Sequence, residues 1–105
     1  LLNAAVCVET ALLPLQVLEE TQRIERELGR TEKSVNGLYA DRLIDIDLLL
    51  YDDRVMDAEG LILPHPLMTE RRFVMEPLSE IAPDVVHPVL HKTMKELFIS
   101  SFSPQ

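Results

Sequence analysis

Arg42-Leu43-Ile44-Asp45-Ile46-Asp47-Leu48-Leu49-Leu50 sets two carboxylates inside a run that is otherwise hydrophobic after its first residue. In β geometry alternate side chains point to opposite faces. Ile44, Ile46, Leu48 and Leu50 then share one apolar face, while Leu43, Asp45, Asp47 and Leu49 share the other. The apolar face specifies the register, because a slip of one residue would bury both acids. Asp45 and Asp47 are thus expected side by side, about 7 Å apart at roughly 3.3 Å per residue. Two like charges that close invite a cation. A rigid Asp-x-Asp pair suits Mg²⁺, which takes a few carboxylate oxygens and fills its octahedron with water and substrate phosphates. The plainer alternatives are a solvated polar face and neutralisation by Arg42.

Composition limits what surrounds this stretch. The 105 residues, 47% of them hydrophobic, suffice for one small domain with a single core. A net charge of −8, with no basic stripe interleaved with aromatics, argues against a nucleic-acid-binding surface. The single cysteine, Cys7, has no internal partner and sits in an apolar segment, so a buried core position in a reducing compartment is expected. Apolar runs are strand-length and interrupted by charge, so neither a membrane span nor a targeting segment is visible and a cytoplasmic location is expected. The opening Leu1-Leu2-Asn3 lies within an apolar run with no turn or cap before it, the pattern expected of a piece of a longer protein.

Leu1 to Leu12 reads as a buried strand, although its alanines keep a helix open. Pro14 suits the first turn of a helix whose stripe is Val17, Leu18, Thr21, Ile24 and Leu28, opposite Glu19, Glu20, Arg23 and Glu27. Glu19 and Arg23 are spaced as an i, i+4 pair. Gly29 is placed as a C-terminal cap, followed by a polar loop from Arg30 to Asp41 that contains Asn36-Gly37. So long a connection in so small a domain suggests that Thr31 to Asp41 closes over a ligand.

After the Asp-x-Asp stretch, Tyr51 to Arg54 reads as a turn and Val55-Met56 as a short strand. Asp57 to Gly60 turns again, and Leu61 to Leu63 forms a further strand that Pro64-His65-Pro66 stops. His65, held in a stiff extended segment, is either a surface turn residue or a phosphate or ribose contact. Arg71 and Arg72 precede an apolar helical segment, Val74 to Ile81, that Pro83 ends. Their guanidinium forks match phosphate oxygens, although cations are disfavoured at a helix N-terminus. Phe73 reads as core or as a substrate platform. The amphipathic stretch Met94 to Phe98, with Leu97 and Ile99, reads as a short terminal helix, with Ser100 to Gln105 fraying.

Several of these segments together resemble one family. They are Leu2-Asn3-Ala4-Ala5-Val6, then Thr21-Gln22 with Ile24-Glu25, Gly29-Arg30, Arg42 to Tyr51, Leu63-Pro64-His65-Pro66, Glu70 to Val74, and Pro77 to Pro83. In this order and spacing they resemble 6-hydroxymethyl-7,8-dihydropterin pyrophosphokinase, over nearly the whole chain. The resemblance implies an α+β fold, a ferredoxin-like sandwich with an antiparallel sheet. Residues 1–105 would form the C-terminal two-thirds of a single pyrophosphokinase domain, incomplete on its N-terminal side.

It also implies a reaction, the transfer of diphosphate from ATP to the hydroxymethyl group of the pterin with release of AMP, in folate biosynthesis. By resemblance Asp45 and Asp47 hold two Mg²⁺ ions, and Arg30 and Arg42 are catalytic-loop arginines. Gln22, His65 and Arg71 hold ATP, Asn3 hydrogen-bonds the pterin and Phe73 stacks on it. Tyr39 stands where a lid aromatic would stack. The chain departs from the family's usual pattern with Glu32 soon after Arg30, Tyr39-Ala40-Asp41 before Arg42, and Leu67 and Thr69 where Arg and His are common. The expected partners are ATP and the pterin, with neither nucleic acid nor membrane, and the full-length parent is expected to be a monomer. The alternative is an inactive fragment that binds Mg-ATP weakly or self-associates through an exposed strand edge.

Overall fold

A computed structural model describes residues 2–36 and 44–102, with side chains for 2–29 and 44–102. The architecture is α+β: three helices and a two-stranded antiparallel sheet. Two compact units divide the chain, one formed by Ala11–Leu48 and the other by Leu1–Thr10 with Leu49–Gln105.

The Ala11–Leu48 unit is dominated by α1, Pro14–Asn36. Pro14 stands where a missing N–H costs nothing, and Gln16 secures the entry by accepting the Leu13 amide on Oε1 at 2.8 Å. Arg23 pairs with Glu20 at 3.0 Å, one residue closer than the expected Glu19. The helix does not stop at Gly29 as its sequence position suggested. Among the described residues, and apart from the helix's own neighbouring backbone, no atom lies within 4 Å of the space a Gly29 Cβ would fill, and its φ is not positive. The polar residues after it simply extend the helix, at the modest cost of one interior glycine. The expected loop is therefore helical to Asn36, and the rest of it, 37–41, lies outside the described residues.

The larger unit begins with a segment, expected to be a buried strand, to which no regular secondary structure is assigned. Leu2, Val6 and Val8 are exposed, as is Cys7, which corrects its expected burial. Strand propensity is a preference for a paired, half-buried surface, and no pairing is assigned to this segment. Downstream, the turn at Tyr51 to Arg54 forms as expected, with the Arg54 amide on the Tyr51 carbonyl at 2.9 Å. Strands β1, Met56–Ala58, and β2, Leu61–Leu63, pair with Met56 opposite Leu63 and Ala58 opposite Leu61. The connecting Glu59 and Gly60 both have positive φ, 51° and 83°, as a two-residue turn between right-twisted strands requires. β2 alternates cleanly: Leu61 and Leu63 are buried and Ile62 is exposed.

A single 3₁₀ turn, Met68–Glu70, leads into α2, Arg72–Ile81, which ends at Ala82 because Pro83 excludes the helical conformation before it. Helix α3, Met94–Phe102, runs further than its sequence suggested. Thr93 and Glu96 close its first turn reciprocally: Thr93 Oγ1 accepts the Glu96 amide at 3.1 Å and Glu96 Oε1 accepts the Thr93 amide at 3.0 Å. The core of the unit is Met68, Met75, Leu78, Met94 and Leu97, with Ala5, Leu49, Leu50, Val74, Ala82, Phe98 and Phe102 packed around it. Three unbranched methionines fill the irregular space where α2, α3 and the 3₁₀ turn meet.

Candidate functional site

The Asp-x-Asp stretch was expected as a strand, but no regular secondary structure is assigned to residues 44–50. The alternation survives only in part: Asp45 and Asp47 are exposed while Ile46, Leu48 and Leu50 are half-buried, but Ile44 is exposed and Leu49, expected on the face of the aspartates, is half-buried and packs against the core. The main chain is held in place of a ladder by a side chain. Glu25 on α1 accepts the Ile46 amide on Oε2 at 2.8 Å, so a third carboxylate fixes the backbone midway between the two aspartates. Sequence reasoning noted Glu25 only as part of a matching motif. Its role depends on a bond across 21 residues that no local pattern announces.

The aspartates offer hard oxygen donors and nothing else. Among the described residues no group of three or more His, Cys, Asp or Glu is placed to hold a metal ion. A site of two carboxylates suits Mg²⁺, which keeps water and phosphate in its remaining positions, and does not suit Zn²⁺, which takes three or four protein ligands. Gln22 is exposed on the same helix as Glu25, and Arg30 falls within α1 by its backbone. Tyr39 and Arg42 lie outside the described residues.

The other unit carries Asn3, His65, Arg71 and Phe73. Asn3 is exposed in the irregular opening segment. His65 is half-buried and locked on three sides. Its amide donates to the Leu49 carbonyl at 2.9 Å, its carbonyl accepts the Met68 amide at 3.3 Å, and Nδ1 accepts the Leu67 amide at 3.2 Å. With Nδ1 accepting, the neutral ring carries its proton on Nε2, which makes that nitrogen a donor. The ring lines a cleft of about 490 Å³ together with Met56, Ile62, Leu63, His87 and Val89. Arg71 is the residue before α2, in extended conformation, and its guanidinium lies 5.8 Å from the centroid of the Phe73 ring. That is cation–π distance, so the half-exposed ring and the arginine orient each other.

Sequence similarity decides which family these residues belong to. The model of the 7,8-dihydro-6-hydroxymethylpterin-pyrophosphokinase (HPPK) family matches residues 1–83. The chain belongs to the HPPK family. Among its relatives, the 2-amino-4-hydroxy-6-hydroxymethyldihydropteridine pyrophosphokinase of Porphyromonas gingivalis is 53% identical over 89 residues, 83% of this chain and 59% of the relative. The protein of the same name from Aquifex aeolicus is 42% identical over 95 residues, 90% of this chain and 58% of the relative. The folic acid synthesis protein FOL1 of Dictyostelium discoideum is 43% identical over 95 residues, 90% of this chain but 14% of that much longer protein. The chain thus spans less than two thirds of the length of each of these relatives. Its HPPK match includes the Asp-x-Asp stretch, His65, Arg71 and Phe73, and stops before His87.

Proposed function

We propose that this chain is part of an ATP-dependent pyrophosphokinase that transfers diphosphate from ATP to 6-hydroxymethyl-7,8-dihydropterin, giving the pterin diphosphate and AMP, in folate biosynthesis. The observation that carries the reading is family membership joined to an exposed Asp45-x-Asp47 pair on a backbone pinned by Glu25. Asp45 and Asp47 would hold two Mg²⁺ ions, which when bound neutralise the triphosphate and draw charge from its bridging oxygens. The remaining work is positioning. His65, its Nδ1 already occupied, presents Nε2–H to a phosphate or ribose oxygen. Arg71 offers a planar fork to phosphate, and Gln22 adds a neutral donor. Arg30 and Arg42 would stabilise the charge that moves onto the leaving AMP and the transferred group. Asn3 would read the pterin edge by hydrogen bonding, and Phe73 would stack on its face.

The same reading gives the whole domain a ferredoxin-like sandwich, to which the β1–β2 hairpin and the helices of this chain contribute. It makes the protein a cytoplasmic monomer; no helix of the described residues is long and apolar enough to cross a membrane. The test is product analysis. The full-length protein, incubated with ATP, Mg²⁺ and hydroxymethyl-dihydropterin, is expected to form AMP and pterin diphosphate in equal amounts by ³¹P NMR. Formation of ADP and a pterin monophosphate would overturn the assignment.

A further inference from the structure

His87 lines the cleft beside His65 but has none of the roles assigned above, and it lies beyond the residues the family model matches. It is the one buried polar side chain among the described residues, 5% exposed, and its ring organises a turn. Nδ1 accepts two backbone amides, from Val89 at 3.2 Å and from Leu90 at 3.0 Å. The His87 amide donates to the Lys92 carbonyl at 2.8 Å, and its carbonyl accepts the His91 amide at 2.9 Å. His91 holds a positive φ of 58° to close the loop. Both feet of the turn are tied, since Val86 and Thr93 form a β-bridge that leads directly into α3. Two of the residues gathered by the ring, His87 itself and Val89, line the cleft that also holds His65.

An imidazole nitrogen accepts hydrogen bonds only while it carries no proton. Proton uptake at Nδ1 would therefore cost both bonds at once, and would leave an N–H facing two other N–H groups in a buried place. We propose that His87 is an acid-sensitive latch: the neutral ring keeps the 87–92 turn closed along the cleft, and protonation releases Val89 and Leu90. Burial holds the His87 pKa below the ordinary histidine value, and the charge of His91 acts in the same direction, so the latch is closed at neutral pH and opens on the acid side. The titratable groups around the ring are His91 and Lys92 on the same turn and Asp57 and His65 lining the cleft from the hairpin side. His91, Lys92 and Asp57 are exposed and screened by solvent, and Glu96 on α3 is engaged with Thr93. The latch stands whether or not the cleft binds a nucleotide.

The experiment is an NMR titration of the full-length protein from about pH 7.5 to about pH 4.5, following the ring nitrogens of His87 and the exchange protection of the Val89 and Leu90 amides, corrected for intrinsic rates. Amides of α2 serve as the internal reference. Protection of Val89 and Leu90 is expected to fall about tenfold or more in step with ring protonation while the α2 amides hold. His87→Asn puts a non-titrating oxygen close to the position of Nδ1 and should make that protection independent of pH, whereas His87→Ala should abolish it throughout. Amides that stay protected on a protonated ring, amides that open while the ring is still neutral, or a ring that never titrates in this range would each overturn the latch.

Discussion

The two compact units of this chain are built differently. In the one that holds the hairpin, α2 and α3, Met68, Met75 and Met94 are completely buried, and the titratable His87 is buried with its hydrogen bonds satisfied. In the unit of α1 and the Asp-x-Asp stretch, only Pro14 is buried among the described residues, and Ile24 and Leu28 on the helix's apolar stripe remain 38% exposed. The exposed carboxylates proposed above as cation ligands sit in the sparsely packed unit, and the sequestered apolar surface lies in the other. Substitutions should therefore separate cleanly into those that remove chemistry and those that remove stability.

The largest effect is expected at the aspartates. Asp45→Ala or Asp47→Ala in the full-length protein should lower AMP formation by at least ~10³-fold, the scale of losing a metal clamp on a transition state. Because both side chains are exposed, the melting temperature should move by no more than about 2 °C, the scale expected of a surface substitution. Steady-state kinetics and calorimetry on the same samples check both halves, and a large loss of stability would break the contrast between the units.

Met75→Ala should do the reverse. Truncating a fully buried methionine at the α2–α3 contact is expected to cost about 2–5 kcal/mol in denaturant unfolding, with the protein that remains folded still active. A cost under about 1 kcal/mol would mean that the methionine core is not what holds this unit together.

Thr93→Ala tests one helix start in the well-packed unit, and about 1 kcal/mol is expected from loss of the cap. The Glu96 carboxylate is held below its ordinary pKa, first by the Thr93 amide and then by the Thr93 hydroxyl. The stabilisation from this pair is present above the ordinary glutamate value and is lost as pH falls through the lowered one. Thr93→Ala keeps the amide and loses the hydroxyl, so its deficit against wild type should shrink as pH falls without closing, because the bond from the Glu96 amide to the hydroxyl does not titrate; urea midpoints read the difference. His87 adds a shallower slope at higher pH. With a folded pKa below 6.5, its contribution is complete above that value and declines as pH falls towards the folded pKa, because the unfolded chain takes up the proton first. His87→Asn should flatten that part of the profile.

The unit with the dense core was the more legible in sequence. The hairpin is announced by Gly60 and Pro64, and the end of α2 by Pro83, all of which act through their own backbone. The capping pair Thr93-x-x-Glu96 was equally local, although only the helix it starts was anticipated. What failed was non-local. Leu1 to Leu12 has the composition of a strand, but composition cannot supply a partner, and the exposed Cys7 reflects the same error. Gly29 looked like a stop because a glycine cap is common, yet a cap needs positive φ, and the helix runs on when the residues after the glycine can themselves be helical. At the candidate site, the exposure of Asp45 and Asp47 was readable from their alternation with Ile46 and Leu48. Glu25 was not, since its bond to the Ile46 amide exists only once α1 has formed. His87 went unread because a histidine beside a proline gives no hint that its ring will collect two amides.

The central claim, that the Asp-x-Asp pair holds the cation on which diphosphate transfer depends, is tested most directly by one titration. AMP formation by the full-length protein, first stripped with EDTA, would be followed as free Mg²⁺ is raised, for the wild type and for Asp47→Asn. The account predicts no pterin-dependent AMP without Mg²⁺, saturable recovery in the wild type, and in Asp47→Asn a response displaced to higher Mg²⁺ by about tenfold or more with a lower ceiling. AMP formation that persists without divalent cation, or that shows the same Mg²⁺ dependence and the same ceiling in both proteins, would contradict it.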